Sequence, residues 1–506
     1  MPTHPKELFM GIDVGTQSAR AGLCDTAGRL IGSASHPYPT FFPQPGWAEQ
    51  DPQGWWRSIC LATRECLEKA KADPFSIAGI SFDATSATVL MVDRSAVPLD
   101  RAILWMDQRA VQEVRDIQAT GHPCLRYVGG QDSAEWMVPK VLWLKRNKPE
   151  LFRRAYKVIE ATDWIAHRLS GEWTASLCNA TCKWNYVSRE GGWDPVFFSE
   201  LGLKEVLSKW PERVVPMGTR IGALTAGAAQ DLGLIAGIPV AEGGVDAHVG
   251  LLGLNALDPG RMGLIMGSSN VAFVLSEQPV FSEEFWGPCP DAILEGTWLI
   301  EGGQTSTGSI INWLVDNIHS LAGGDKHDRE AVLANLERGI DEVPDGARGL
   351  ISLDYWQGNR TPRRDPNARG LIFGLTLAHD SRDLVKSIYE GICFGTRHII
   401  DSWRSAGIGV RALSAGGGGT KSRFWLQLTA DICNMSIIVP RFADSCGITG
   451  SVICAACGAG YYNSLREAAA AMVVEEKTIL PYGDPSRFDG IYDRYLKLYE
   501  ATRKFL

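Results

Sequence analysis

The stretch Phe9–Gly28, FMGIDVGTQSARAGLCDTAG, places an acid and a polar turn between two apolar runs. The first run reaches Asp13, the chain turns through Gly15–Ser18, and a second strand-like run follows. A plain hairpin with an incidental acid explains this pattern. A turn whose backbone amides bind phosphate, beside a carboxylate that faces a metal ion, explains it about as well.

A second stretch of the same form lies at Pro259–Gln278, PGRMGLIMGSSNVAFVLSEQ, and again predicts a strand, a Gly-Ser-Ser turn and a strand. Met266 stands there where the opening stretch leads one to expect an acid. Two matching starts predict a duplicated fold facing a shared cleft, with domains at residues 1–256 and 257–506. The length agrees, because 506 residues exceed one core and suit two domains of roughly 250.

Helix signals alternate with the strand signals along the chain, which predicts a mixed α/β architecture. Asp51 and Pro52 form a good N-cap and first-turn pair, so a helix should begin there. Long helical patterns cover Ser381–Ser405 and Ser422–Asn434 in the second half.

Composition argues against several classes of protein. The net charge of -8 gives no reason to expect nucleic-acid or anionic-membrane binding. No run approaches the roughly 20 apolar residues of a membrane span, and the first residues lack an apolar signal core, so we expect no export. Twelve cysteines lie in apolar stretches, which suits a reducing cytoplasm, and the pair Cys454 and Cys457 favours helix packing over a metal or redox role.

Two later segments carry candidate chemistry. Four glycines within Leu413–Asn434 separate a predicted strand from a predicted helix, where a backbone can approach a nucleotide closely. In AEGGVDAHVG, Asp246 follows a strand and begins a helix. Its carboxylate is equally well interpreted as a general base aimed into a cleft or as an ordinary N-cap. His248, two residues on, favours a packing or hydrogen-bonding role.

Several polar residues interrupt otherwise apolar segments, as the wall of a site for a small polyhydroxylated ligand would require. Singly, each such residue is more often a surface residue or a paired core residue. The candidates are Asp83, Ser86, Asp107, Arg109, Lys183 and Glu301, with Trp105 as an aromatic face.

Together these pieces resemble the FGGY family of carbohydrate kinases along nearly the whole chain. The most specific segment is Gly370–Glu390, GLIFGLTLAHDSRDLVKSIYE, which is similar to the C-terminal signature of the family. YWQGNRTPRRDPNARG resembles its Gly-x-Arg-x-Pro segment, and GIDVGTQSAR resembles its first phosphate turn. One departure is that Ser445 and Cys446 stand where many members carry a glutamate.

The resemblance implies two actin-like ATPase domains of the ribonuclease H-like type flanking a central cleft, with sugar in the first domain and ATP across the cleft. It implies that Asp246 is the general base for the sugar hydroxyl and that Asp13 approaches Mg²⁺, with a homodimer expected by analogy. The implied phosphate and nucleotide contacts are Gly15, Thr16, Gln17, Ser18, Gly267, Ser268, Gly417, Gly418 and Ser422.

Within the family, the D-x-T-x-x-T form of the segment FDATSAT is similar to the ribulokinase branch. Ser86, Lys183 and Glu301 match the sugar contacts of that branch, and Trp105 adds an aromatic wall. The resemblance therefore favours phosphorylation of D-ribulose to D-ribulose 5-phosphate. L-ribulose and other ketoses or polyols, such as xylulose or erythritol, remain alternatives. An actin-like ATPase switch and a non-catalytic sugar sensor are alternatives of another class.

Overall fold

The computed structural model describes residues 7–321 and 329–505. The chain divides into two compact units. The first comprises Met1–Leu257, Leu275–Ile300 and Ser445–Val474, and the second comprises Asp258–Val274, Glu301–Asp444 and Glu475–Leu506. The first break thus follows Leu257, next to the boundary predicted from the sequence, but two later segments return to the first unit. The assignment of one ligand to each half stays a prediction.

Both units are built from strands interspersed with helices, as the sequence predicted. The strands are β1 (Leu8–Val14), β2 (Ser18–Asp25), β3 (Leu30–Pro37), β4 (Glu49–Gln50), β5 (Ile77–Ala84), β6 (Val89–Val92), β7 (Ala102–Ile103), β8 (Lys157–Glu160), β9 (Thr174–Ser176), β10 (Arg213–Val215), β11 (Arg220–Ala223), β12 (Pro239–Ala241), β13 (Gly244–Val245), β14 (Arg261–Met266), β15 (Asn270–Ser276), β16 (Trp286–Pro290), β17 (Trp298–Gln304), β18 (Ile351–Leu353), β19 (Leu371–Phe373), β20 (Ala412–Gly416), β21 (Ile437–Pro440) and β22 (Glu475–Ile479).

The helices range from one to seven turns. They are α1 (Pro52–Ala70), α2 (Val111–Ala119), α3 (Met137–Asn147), α4 (Pro149–Arg154), α5 (Ala161–Ser170), α6 (Leu177–Lys183), α7 (Pro195–Glu200), α8 (Ala226–Leu232), α9 (Asp246–Gly253), α10 (Gly308–Leu321), α11 (Arg329–Glu337), α12 (Ser381–Ser405), α13 (Arg423–Cys433), α14 (Cys446–Gly458), α15 (Leu465–Met472) and α16 (Asp489–Thr502). Within residues 7–321 and 329–505, none is both long and apolar enough to span a bilayer.

The main sheet of the first unit has the strand order β11-β12-β5-β1-β2-β3, and β13 also pairs with β5. Strand β1 runs antiparallel to β2 and parallel to β5, and every residue of β5 is buried. Helix α1 packs against β2 and β3, while α14 packs against β1 and β5. A strand covered on both faces reads as a continuous apolar run, which is the pattern of the opening stretch.

The second unit repeats this arrangement. Its main sheet contains the strand order β17-β15-β14-β20-β21-β22, and β18 pairs with β19 in a separate two-stranded sheet. Strand β14 runs antiparallel to β15 and parallel to β20, as β1 does to β2 and β5. The predicted strand–turn–strand start of the second half is therefore confirmed. The mixed α/β class is confirmed with it.

Local signals placed several helices correctly. Asp51 caps α1 by accepting a hydrogen bond from the Gln53 amide at 3.0 Å, and Pro52 occupies the first turn. The predicted helix at Ser381–Ser405 is α12, residue for residue. The pattern at Ser422–Asn434 is α13, with Ser422 as its N-cap.

Candidate active site

Two carboxylates lie side by side where β1 and β5 approach their carboxyl ends. Asp13 and Asp83 are partners in the parallel register and are almost entirely buried. Asp13 Oδ2 accepts a hydrogen bond from the Arg20 guanidinium at 2.6 Å. Asp83 Oδ2 accepts one from the Ser451 hydroxyl at 2.7 Å. The two Oδ1 atoms accept nothing from a donor in the described residues. Buried acceptors left in this way can be satisfied by a ligand.

A third carboxylate, that of Asp246, interacts electrostatically with Asp13 and Asp83. Asp246 is the first residue of α9, is half-buried, and accepts from the Ala247 amide at 2.7 Å. Burial and the charge of Asp13 raise the pKa of Asp246 to about 6. Burial and the charges of the other two acids raise the pKa of Asp83 well above its usual range. Burial also raises the pKa of Asp13, although the adjacent Arg20 opposes the change.

The space beside these acids suits a divalent cation. A Cβ atom added to Gly447, the second residue of α14, would lie 2.7 Å from Asp13 Oδ2 and 3.6 Å from Asp83 Oδ2. The glycine therefore leaves open a volume bordered by carboxylate oxygens, which are the ligands that Mg²⁺ prefers. The carboxylate oxygens, including the two Oδ1 atoms without a hydrogen-bond donor, fit a hard cation. Asp13 and Asp83 are the residues that would hold it.

The first turn, Gly15–Ser18, is braced from several sides. The Gly15 amide donates to the Ser18 carbonyl at 3.1 Å, and the Tyr38 hydroxyl donates to the Gly15 carbonyl. The Trp105 indole donates to the Thr16 hydroxyl at 3.0 Å. The structure thus brings a predicted phosphate contact against a predicted sugar contact. Gln17 is exposed, and the other three turn residues are half-buried.

Besides Asp246, three predicted sugar contacts belong to the first unit. Ser86 lies in the turn after β5, and its hydroxyl oxygen is buried with no partner in the described part of the chain. Lys183 ends α6, with Nζ 4.8 Å from the ring centroid of Trp136 and 5.0 Å from that of Trp286. The third of these sugar contacts is Trp105, which donates to Thr16 as described above. The remaining predicted sugar contact, Glu301, lies on β17 in the second unit and is 6% exposed.

The predicted phosphate turn of the second unit packs against a helix start. The Gly308 amide donates to the Gly267 carbonyl at 3.1 Å, and the Ser309 amide donates to the Ser268 carbonyl at 3.0 Å. A Cβ atom on Gly308 would lie 2.4 Å from the Gly267 oxygen, so only glycine permits this approach. The turn itself is half-buried to exposed, with Ser268 its exposed residue.

The glycine-rich loop lies beside that turn. Gly417 has a φ of 84°, and a Cβ atom there would lie 2.6 Å from the Met266 carbonyl oxygen. Gly418 is exposed with no atom within 4 Å of an added Cβ. The Ser422 hydroxyl accepts from the Trp425 amide at 3.0 Å and donates to Glu337 at 2.7 Å. Its role as a nucleotide contact stays a prediction.

Sequence reasoning missed several residues of this site. Asp83 appeared only as one of many candidate wall residues, although FDAT repeats the strand-then-acid form of GIDVGT and could have indicated its place beside Asp13. No sequence pattern indicated Trp136 and Trp286, because these distant residues come together only in the fold, around Lys183. Asp107 and Arg109, two of the candidate wall residues, form an ion pair at 2.8 Å with both side chains buried.

The cysteines of the site region are thiols with structural contacts. Cys178 and Cys182 on α6 and His248 on α9 place three potential metal-ligand atoms within 4.8 Å of one another, and Cys178 Sγ lies 3.1 Å from His248 Nδ1. His248 is buried, which agrees with the hydrogen-bonding role expected of it. Cys454 is buried and Cys457 half-buried on α14, and burial raises the pKa of both thiols.

Comparison with known proteins extends these observations. Residues 8–253 match the N-terminal domain of the FGGY family of carbohydrate kinases, and residues 262–459 match its C-terminal domain. The chain is 33% identical over 543 residues to the FGGY carbohydrate kinase domain-containing protein of Homo sapiens, covering 99% of this chain and 98% of that one. It is 30% identical over 528 residues to a D-ribulokinase of Saccharomyces cerevisiae, covering 92% and 74%. A xylulose kinase from Rhodospirillum rubrum has 26% identity and a TM-score of 0.85, covering 98% and 99%.

Proposed function

This chain belongs to the FGGY family of carbohydrate kinases, and from that premise we propose that it transfers the γ-phosphoryl group of ATP to a hydroxyl of a ketopentose, with D-ribulose the preferred acceptor. The observation that carries the proposal is the position of Asp246. A carboxylate at the start of α9, with its pKa raised to about 6 beside two buried acids, is suited to accept a proton near neutral pH.

The chain's own residues supply positioning and charge, which is most of what phosphoryl transfer requires. Asp246 accepts the proton of the attacking hydroxyl. Ser86, Trp105, Lys183 and Glu301 bind the sugar. The turn amides of Gly15–Ser18 and Gly267–Ser268 bind phosphate oxygens, and the loop at Gly417, Gly418 and Ser422 lines the nucleotide.

Magnesium is the cation that ATP-dependent transfer requires, and Asp13 with Asp83 would hold it. When bound, it neutralises the negative charge that accumulates on the phosphate oxygens. With both acids ionised, the two carboxylates and one arginine carry a net negative charge, which a divalent cation offsets.

The choice of sugar rests on local sequence and on the relatives. The 30% identical yeast protein is a D-ribulokinase, and the D-x-T-x-x-T segment around Ser86 agrees with it. The Rhodospirillum xylulose kinase is less similar in sequence. L-ribulose, xylulose and erythritol are therefore the alternative acceptors. Cytoplasmic location and a homodimer stay predictions.

A phosphorylation screen tests the proposal directly. The purified protein, ATP and Mg²⁺ are incubated separately with D- and L-ribulose, both xyluloses, ribitol, erythritol and glycerol. ADP release and sugar phosphate formation are measured for each acceptor. We expect the highest kcat/KM for D-ribulose. A higher kcat/KM for another acceptor would replace the substrate, and slow ATP hydrolysis unaffected by every sugar would favour the switch or sensor alternatives.

The variant Asp246→Asn tests the base. We expect kcat to fall by roughly 10²–10⁴ or more, because the amide cannot accept the proton. Asp51→Asn is the matched control, because that carboxylate also lies at a helix N-terminus and asparagine caps equally well. If Asp246 were only a cap, both variants would keep near-normal turnover.

A further inference from the structure

Lys140 on α3 is a fully buried lysine that joins three separate segments of the first unit. Its Nζ donates to the carbonyl of Ala87 at 2.9 Å, of Leu104 at 2.5 Å and of Glu135 at 2.7 Å. Three carbonyl acceptors use all three donors of an ammonium group, so the geometry is that of the charged form. Burial lowers the pKa of Lys140 to about 7, opposed by nearby acids.

Each of the three carbonyls adjoins a residue of the proposed sugar site. Ala87 follows Ser86, Leu104 precedes Trp105, and Glu135 precedes Trp136. The Trp136 ring is one of the two that flank the Lys183 ammonium. One buried cation therefore connects the backbones that present these side chains.

Glu160, at the junction of β8 and α5, is a buried acid that also joins segments of this region. Its Oε2 accepts from the Ala87 amide at 2.8 Å and from the Asn179 side chain at 2.7 Å. Its Oε1 accepts from the Trp184 indole, and Trp184 follows Lys183. Ala87 is thus held through its carbonyl by a lysine and through its amide by a glutamate.

The local backbone needs such support. Ala87 has a φ of 48°, a left-handed conformation that is strained for a residue with a Cβ atom. Two fully buried charges are a costly way to fill a core, because apolar residues of similar volume often stabilise as well or better. A buried pair that is fully hydrogen-bonded instead favours one exact arrangement of the segments it joins.

We infer that Lys140 and Glu160 are positioning residues of the sugar site, holding the Ser86 turn, Trp105 and the Trp136–Lys183 pair in the arrangement that binds the sugar. The inference rests on the proposed function for the identity of these contacts. Neither side chain touches substrate in this scheme; both act through the backbone and indole groups that they bind.

The test compares Lys140→Met with Lys157→Met. Lys157 is the matched control, because it is a buried lysine of the same unit whose Nζ donates to a backbone carbonyl, that of Trp210, at 2.8 Å. We expect Lys140→Met to raise the KM for the best sugar at least tenfold and to leave the KM for ATP within about twofold. Lys157→Met should leave both values near wild type, whatever its effect on thermal stability.

A double-mutant cycle separates positioning from general destabilisation. If Lys140 acts through the Ser86 turn, the sugar KM of Lys140→Met with Ser86→Ala should rise much less than the product of the single effects. Multiplicative effects would contradict the inference, as would an unchanged sugar KM in Lys140→Met. Should that variant not fold, Glu160→Gln carries the same expectation, since an amide cannot accept from Ala87, Asn179 and Trp184 together.

These outcomes are distinct from failure of the proposed function. A wild-type protein that phosphorylates none of the sugars refutes the function itself. A wild-type protein that phosphorylates one of them, with Lys140→Met and Glu160→Gln matching its sugar KM, refutes only the positioning roles.

Discussion

At the level of single residues, the central feature is the set of three acids, Asp13, Asp83 and Asp246, with Arg20 as the cation in contact with one of them. Burial raises the pKa of each, and the charges of neighbouring acids raise it further at Asp83 and Asp246. Such a site destabilises the folded apo protein. It also favours binding of a cation and acceptance of a proton. Both consequences can be measured.

The pH dependence of catalysis should report Asp246. With ATP and Mg²⁺ saturating, we expect kcat/KM for the sugar to rise with pH and level off above an apparent pKa between 3.8 and about 6, because only the carboxylate can accept the proton and a cation beside Asp13 offsets part of the shift. Rate profiles between pH 4 and 8 measure this. A flat profile across that interval would contradict the assignment of Asp246 as the base.

The same shift predicts a stability effect of Asp246→Asn. The folded-state pKa lies above the unfolded one, so the stabilising contribution of this group is complete below about pH 3.8 and is lost as pH rises through about 6. At pH 7.5 the asparagine variant should therefore be more stable than wild type, by on the order of 2 kcal/mol. Thermal unfolding at pH 7.5 and pH 4 measures the difference, which should nearly vanish at pH 4.

At the level of elements, helix α14 is held against α9 and β1 through glycines. A Cβ atom on Gly450 would lie 2.0 Å from the Val249 carbonyl oxygen, and one on Gly253 would lie 2.1 Å from that of Cys446. On the strand side, a Cβ atom on Gly11 would lie 2.6 Å from the Ile448 oxygen. These close approaches place Gly447 beside Asp13 and α9 beside α14, so packing and site geometry depend on the same contacts.

Alanine substitutions on two helices should have opposite effects on stability. Gly450→Ala should lower stability by roughly 2–4 kcal/mol, because backbone would have to move to admit the methyl group. Gly227→Ala on α8, where nothing lies within 4 Å of an added Cβ, should raise it by about 0.5–1 kcal/mol. Chemical denaturation of the two variants provides the comparison, and equal effects would contradict close helix packing.

For the whole molecule, the two units carry different proposed contacts. Most sugar contacts and the acids lie in the first unit, and the nucleotide loop lies in the second. Stabilisation by a ligand depends on its concentration relative to its Kd, about 2.7 kcal/mol at 100 times Kd. Each substrate should therefore raise the Tm separately.

Two variants should remove these Tm increases selectively. Lys183→Met should abolish the increase caused by the sugar and keep the one caused by Mg-ATP. Gly418→Leu should do the reverse without lowering the Tm of the apo protein, because that position is exposed and open. Thermal-shift titrations with each ligand test this. Loss of both increases in either variant would contradict the division of contacts.

Much of the fold could be predicted from the sequence, because the signals are local. Alternating and continuous apolar runs predicted β1, β2, β14 and β15, and cap residues predicted the start of α1. The site could be predicted in part. Asp246 was expected at a helix N-terminus and lies there, whereas the place of Asp83 depends on register with a strand more than sixty residues earlier.

The amino-acid sequence alone established the α/β class, the repeated strand–turn–strand start and the family resemblance, since each depends on residues close together in the chain. Tertiary structure decided that residues 445–474 return to the first unit, that Gly447 opens a space beside Asp13, and that Lys140 joins three segments. The reason is physical: periodicity and capping act over a few residues, whereas strand register, close backbone approach and buried hydrogen bonds arise only when distant segments pack.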